Sequence, residues 1–579
     1  MKTFVLSLGL LLAGICAHAQ GFLKRSGTQI VNGNGEPVVL RGIGLGGWML
    51  QEGYMLKIYR DGQQYRIRER IEALVGPARA AEFYDRWLAN HTTAEDIMML
   101  KKWGFNSVRL PMHFNLYTLP AEKEPVQGQD TWLDKGFAMT DALLAWCKAN
   151  EMYLILDLHA APGGQGNDLN ISDRDPAKPS LWESPENQRK TVALWRKLAE
   201  RYKNEPWIGA YDIINEPNWG FSDPAGDRNG TKEKDNAPLR KLMMEITAAI
   251  REVDNKHIVI IEGNGWGNNY NGVFPPWDSN MVLSYHKYWN FNDPSSIKHM
   301  LEAREKYNIP VWVGETGENS NVWFTEAVRL LENHGIGWAW WPLKKIGINN
   351  PLEIVAPEGY AKILQYWADS SAPRPDAEQA WAALKNLAEA TNIRRNIPHR
   401  DVVDALLRQP ADPSAKPLKA IRLLPSMEIA ADLYDLGANG FAYYDTDTAN
   451  YRVSDPKRTG GNRGGASRND GVDIARDSAG AYITQVESGE WTQYTMVFPQ
   501  NKPVRLWLTV RGGEKGGKVS LWVDGKPLLA GVSVPAGPGW TDVPLGTVKL
   551  PGGPHSLRVH ADEGGFEWRW LKMKQQVVK

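Results

Sequence analysis

From about residue 38 to residue 341 the chain alternates two hydrophobic patterns. Short runs that are apolar at nearly every position read as strands buried on both faces. Longer stretches with apolar residues every three or four positions read as amphipathic helices. The strands fall at 38–44 (VVLRGIG), 106–112 (NSVRLPM), 152–159 (MYLILDLH), 208–215 (IGAYDIIN), 257–263 (HIVIIEG), 281–286 (MVLSYH), 311–315 (VWVGE) and 337–341 (GWAWW). Helical stretches separate them, among them TTAEDIMMLKKWG, where Thr93 and Asp96 stand at capping-box spacing. Strands alternating with helices eight times predict an α/β fold, a closed (β/α)8 TIM barrel rather than an open doubly wound sheet.

Beyond residue 370 the pattern changes twice. Residues 371–417 read as a short helical segment (AEQAWAALKNLAEA, HRDVVDALLRQ) ending in the linker-like PADPSAKP. Residues 418–579 carry short strands between Gly, Asn, Asp and Pro turns, the pattern of a C-terminal all-β sandwich. At the start, Met1-Lys2, an apolar run over 4–16 and Ala17-His18-Ala19 read as a signal peptide, residues 1–19, cut after Ala19. The barrel domain is then 20–370, and the protein is expected to be secreted or periplasmic. No other run approaches the length of a membrane span. Once Cys16 is removed, Cys147 has no partner for an intramolecular disulfide; its helical setting predicts a buried thiol.

Composition narrows the partners. Lys+Arg and Asp+Glu are both 67, a zero balance that argues against nucleic acid. No GxGxxG or GxxxxGK[ST] follows a strand, which counts against nucleotides. The 25 tryptophans are either a Trp-rich core or flat apolar surfaces for stacking on sugar rings, and composition leaves both open.

Active sites of such barrels form at the carboxyl ends of the strands. Those ends here carry Arg109, His159, Asn215-Glu216, Glu262, His286 and Tyr288, Glu315, and Trp340-Trp341. Glu216 at the fourth strand and Glu315 at the seventh would face each other across the mouth. A carboxylate pair is what glycoside hydrolysis needs, one to protonate the leaving oxygen and one to meet the developing oxocarbenium carbon. Arg109 would keep Glu315 ionised, and Asn215 would bond the sugar 2-hydroxyl. Histidine spacings typical of metal sites (HxH, HExxH) are missing, so neither a metal nor another cofactor is expected for catalysis. Trp48, Trp219, Trp266, Trp289 and Trp323 lie just past strand ends, and at least two are expected to stack on sugar.

The ordered set RLP, LDLHAAPGG, IINEP, SYHKY and VGETG resembles glycoside hydrolase family 5, a family of retaining (β/α)8 glycosidases, over about residues 25–370. The resemblance implies Glu216 as general acid/base and Glu315 as nucleophile in a double displacement, with carboxyls about 5 Å apart. It implies Arg109, His159, Asn215, His286 and Tyr288 as the shell of the −1 sugar site. Trp341 best matches the family's tryptophan after the last strand, with Trp340 as the alternative because adjacent strand residues face opposite ways. Glu262 is expected to be structural or a polar sugar contact. RGIGLGGWML and DLHAAPGGQGND resemble the β-1,3-glucanase-like branch, whereas GETGEN departs from it. The expected substrate is a β-linked polysaccharide or oligosaccharide, a β-glucan first, with exo-β-1,3-glucanase, mannanase and β-1,6-glycanase activities as alternatives.

In the C-terminal part GFAYYDTD, GVDIARD, GEWTQY and VDGKPL resemble carbohydrate-binding modules of families 6 and 35. Trp491, Trp540 and Trp568 are its candidate platforms. The resemblance implies a structural calcium held by two early acids. The matching stretch Ile429-Ala430-Ala431-Asp432-Leu433-Tyr434 keeps one of them, and a late Asn of the family is replaced by Glu567; both changes count against the ion and against sugar binding. A monomer is expected.

Overall fold

The computed structural model describes residues 21–451, 460–499 and 502–576, so the signal-peptide reading lies outside the described residues. Eight parallel strands close a barrel: β1 (Arg41–Gly44), β2 (Ser107–His113), β3 (Tyr153–Ala160), β4 (Ile208–Asp212), β5 (Ile258–Glu262), β6 (Met281–Lys287), β7 (Val311–Gly317) and β8 (Gly337–Trp341), with β8 pairing back onto β1. Every strand residue except Arg41 is buried, as the continuous apolar runs require of strands covered by helices outside and side chains inside. The Thr93 capping box forms as read, with both reciprocal bonds to Asp96. A hairpin (Lys24–Ser26 with Gln29–Val31) lies at the amino-terminal end of the barrel, where the Arg25 backbone N–H donates to Asn280 Oδ1 at 2.8 Å.

The excursion between β1 and β2 builds a second apolar core that periodicity alone did not reveal. Helices α1 (Gln64–Val75) and α2 (Pro77–His91) pack against α3 (Tyr360–Ala368) and α4 (Ala377–Ala390), and Ile67, Phe83, Trp87, Tyr360 and Leu384 fill the space between them. Helices nearly 300 residues apart in sequence thus share one core.

From residue 421 two facing sheets form the sandwich. One contains Trp491–Phe498, Gly553–Glu563 and Gly517–Val523 as neighbours; the other contains Gly480–Ile483, Glu567–Gln575, Pro503–Arg511 and Thr541–Lys549. Their inner faces bury Leu506, Leu508, Leu521, Leu557 and Leu571. Cys147 is fully buried in the barrel's helix layer, and that burial pushes its thiol up. Among the described residues no helix is long and apolar enough to cross a membrane.

Candidate active site

Strand register brings the polar residues together. His286 on β6 pairs directly with Glu315 on β7, just after a shift in register. On β3, Asp157 and His159 share one face because side chains alternate with a period of two. At the centre Arg109 on β2, wholly buried, bonds four carboxylates: Glu315 Oε1 at 2.5 Å, Asp212 at 2.8 Å, Glu262 at 3.1 Å and Asp157 at 3.2 Å. It also donates to Asn215 Oδ1 at 2.8 Å. A guanidinium with five donors suits this task, since each buried carboxylate needs a partner to stay charged.

Glu315 is held from two sides, by Arg109 and by the Tyr288 hydroxyl, which donates to Oε2 at 3.1 Å. Glu216 sits just past β4 with φ 44°, a left-handed conformation that costs a non-glycine residue energy and that the surroundings must enforce. Its own N–H donates to Glu262 Oε2 at 2.7 Å, and His286 Nδ1 lies 2.6 Å from its carboxylate. Glu262 therefore positions the Glu216 backbone with one oxygen while its other oxygen meets Arg109 and His286. Oxygens of Glu216 and Glu315 lie within 4.8 Å of each other, with His286 beside both.

The electrostatics of the site act strongly on Glu216 and on both histidines. Burial and the negative charges of Glu315 and Glu262 push Glu216 up to about 7, against the opposing pull of His286. Burial disfavours charge on His286, yet Glu262, Glu315 and Glu216 outweigh it and hold the ring well above its ordinary value. His159 likewise resists burial through Asp157, 2.8 Å away, and rises to about 10.

At the end of β8 the two adjacent tryptophans face opposite ways, and Trp341 faces the cluster. Its ring stacks on His159 at 5.1 Å and 12°, and Nε1 donates to the Tyr54 hydroxyl at 2.9 Å. The RGIGLGG stretch makes room for it: a Cβ on Gly44 or Gly46 would lie well under 3.0 Å from the indole. Trp340 points the other way, fully buried among Trp323, Phe324 and Trp338, and so does not reach the site. Trp48 and Trp323 are also core residues, their indoles donating to the Leu88 and Asn290 carbonyls. Trp219, Trp266 and Trp289 are half-buried on loops at the carboxyl ends of the strands. Of these, Trp219 already carries the Arg174 guanidinium 4.8 Å above its ring, and Trp289 donates to the Glu318 carbonyl.

Four residues of the cluster escaped the sequence reading. Asp157 and Asp212 are acids inside otherwise apolar strands, a signal that was present in LILDLH and GAYDIIN. Glu52 and Tyr54 lie in the loop after β1, where no periodicity marks them. Glu52 approaches His159 Nε2 at 3.6 Å, and burial raises its carboxyl to about 7.

In the sandwich the three tryptophans are placed differently from one another. Trp568 is buried in the core against Tyr494. Trp491 lies beneath the Arg558 guanidinium, 3.4 Å from the ring centre. Trp540 lies beneath Arg569 and Arg511, at 4.3 and 4.8 Å. Asp432 faces the Arg476 guanidinium at 3.9 Å, a cation where a calcium ligand set would need a second acid. Among the described residues no group of three or more acidic, histidine or cysteine side chains converges in the sandwich.

Comparison with known proteins agrees with this architecture. The family described as cellulase (glycosyl hydrolase family 5) matches residues 72–346, and the carbohydrate binding module (family 6) matches 465–575. A β-xylosidase of Phanerodontia chrysosporium is 31% identical over 381 residues, covering 59% of this chain and 75% of its own. Endoglucanase C of Acetivibrio thermocellus is 25% identical, covering 53% of this chain and 91% of its own. A probable glucan 1,3-β-glucosidase A of Emericella nidulans is 27% identical, covering 52% and 71%. With its closed eight-stranded barrel, two glutamates meeting at the mouth and a C-terminal sandwich, the chain belongs to glycosyl hydrolase family 5, the O-glycosyl hydrolases, and carries a family 6 carbohydrate-binding module.

Proposed function

We propose that the protein is a secreted, retaining hydrolase of β-glucans, with Glu216 as general acid/base and Glu315 as nucleophile. One observation carries this reading: the two carboxylates approach within 4.8 Å. A separation of about 5 Å fits direct attack on the anomeric carbon, whereas inverting enzymes need a gap of at least about 6.5 Å for a water. Glu315, oriented by Arg109 and Tyr288, attacks C1 and displaces the leaving oxygen, which takes the Glu216 proton. Glu216, now ionised, takes a proton from the incoming water, whose oxygen attacks C1 and releases Glu315. A carboxyl near 7 suits both roles, since it gives and regains its proton close to working pH. Arg109, His159, Asn215, His286, Tyr288 and Trp341 are the −1 shell in this reading. Catalysis needs no metal or cofactor.

The three relatives named above support a β-glycan, and two of their names specify a glucan. Exo attack on β-1,3-glucan is the second reading. It is favoured by Glu52, Tyr54 and the Lys345–Glu318 pair (3.5 Å), which form a polar wall beside His159 and Trp341 against which a chain end would rest. NMR of the first-formed anomer tests retention: the β-anomer is expected, and the α-anomer would refute the mechanism. Product sizes from β-1,3-, β-1,4- and β-1,6-glucans, mannan and xylan identify linkage and mode of attack.

A further inference from the structure

The turn that follows the nucleophile strand is bound by the sandwich as well as by the barrel. Asn319 exchanges two bonds with the backbone of Asn450: its Nδ2 donates to the carbonyl at 2.8 Å, and its Oδ1 accepts from the N–H at 3.0 Å. The Ser320 hydroxyl donates to the Thr448 carbonyl. Asn469 Nδ2 donates to the Asn319 carbonyl at 2.9 Å and to Asn321 Oδ1 at 3.0 Å, and Asn321 Nδ2 donates to Asp470 Oδ1 at 2.9 Å. All five of these side chains, Asn319, Ser320, Asn321, Asn469 and Asp470, are buried. Undocking the sandwich would break these bonds and leave water to replace them group by group, while Asn321 Nδ2 keeps Asp401 Oδ2 at 2.8 Å and Asp470 keeps Tyr434 and Arg468. A module tethered for targeting makes no such set of bonds at its edge, because inter-domain motion is its ordinary state.

What the turn carries explains why its placement matters. Glu318, immediately before Asn319, has φ 56°, accepts from the Trp289 indole through its carbonyl at 3.1 Å, and pairs with Lys345 at 3.5 Å. Three residues further back is Glu315. A second contact runs alongside: Tyr451 stacks on Phe291 from the loop after β6, at 5.1 Å, and donates to Glu326 at 2.8 Å. The sandwich thus grips the loops after both β6 and β7. Meanwhile two of its three candidate sugar platforms, Trp491 and Trp540, are half-buried with a face under its own arginines, and the third is buried in the core.

We propose that the C-terminal module is a fixed wall of the catalytic apparatus, in which Asn450, Asn469 and Asp470 are positioning residues that hold the Glu318–Asn321 turn and, through it, the glycone side of the sugar site. This rests on the glycosidase reading above. The test uses the full chain and a soluble aryl β-glycoside too small to need a targeting module. Active sites are counted first with a 2-deoxy-2-fluoro glycoside, so that a misfolded fraction does not enter the rates. Asn319→Ala and Asn469→Ala should each lower kcat/KM per titrated site by about tenfold or more, mostly through KM, because misplacing the wall weakens sugar binding before it touches the nucleophile. Ser320→Ala, a one-atom deletion that also removes the cap of the following helix, should show the same split at about threefold per titrated site. Unchanged constants per site in all three variants, or losses confined to insoluble polysaccharide, would overturn the proposal. Failure of the wild type to cleave any β-glycoside would instead overturn the glycosidase reading on which it rests.

Discussion

Replacing His286 by Asn keeps an amide donor near Glu216 but removes a positive charge. In the native site the His286 ring lies 2.6 Å from the Glu216 carboxylate and is held protonated by Glu262, Glu315 and Glu216. That cation stabilises ionised Glu216 and so restrains the upward push of burial, leaving the carboxyl at about 7. Two charges about 4 Å apart at an effective dielectric of about 20 interact by roughly 4 kcal/mol, an upper limit of about 3 pH units. Opposite charges at such range typically move a carboxyl by about 1–3 units. Removing the cation therefore raises Glu216. The acid must be protonated to act, so activity falls as pH rises through its pKa. The alkaline limb of kcat/KM, expected near 7 in the native enzyme, should move up by about 1–3 units in His286→Asn, measured on an aryl glycoside with a poor leaving group. A limb that stays in place, or moves down, would refute the assignment of that limb to Glu216 under His286.

Other perturbations separate the remaining roles. Glu315→Ala should lose on the order of 10³-fold or more in activity, with azide partly restoring turnover by attacking the vacated face; near-native rates would end the nucleophile assignment. Glu216→Ala should retain glycosylation of activated leaving groups and lose it for poor ones; equal loss on all leaving groups would exclude the acid role. Trp340→Ala should cost about 3–5 kcal/mol in denaturant unfolding with little change in KM, whereas Trp341→Ala should raise KM, and the reverse pattern would contradict the observed register. Exhaustive chelation should leave both the aryl-glycosidase rate and the unfolding midpoint unchanged, because Asp432 faces Arg476 rather than a second acid; a drop in the midpoint restored by calcium would contradict that.

Much of the barrel was legible because its strands are buried on both faces, and a run such as MYLILDLH admits few alternatives at that spacing. The polar residues at the strand ends were legible for the same reason, standing out against apolar neighbours. Glu52 and Tyr54 were not, since they lie in a loop whose path depends on the helical core formed by Phe83, Trp87, Tyr360 and Leu384. The tryptophans show the limit most clearly. Trp340 and Trp341 are adjacent in sequence and chemically identical, yet one is sealed behind the barrel and the other stacks on His159.

Local order along the chain was enough to establish an alternating barrel, a trailing sandwich and two glutamates at strand ends, because hydrophobic periodicity and turn residues act over a few positions. Tertiary structure decided which side chains converge: one arginine shared by four acids, a histidine set between two glutamates, and a sandwich that grips the turn after the nucleophile. These depend on strand register and on packing between segments from tens of residues to 206 residues apart, distances over which periodicity carries no information.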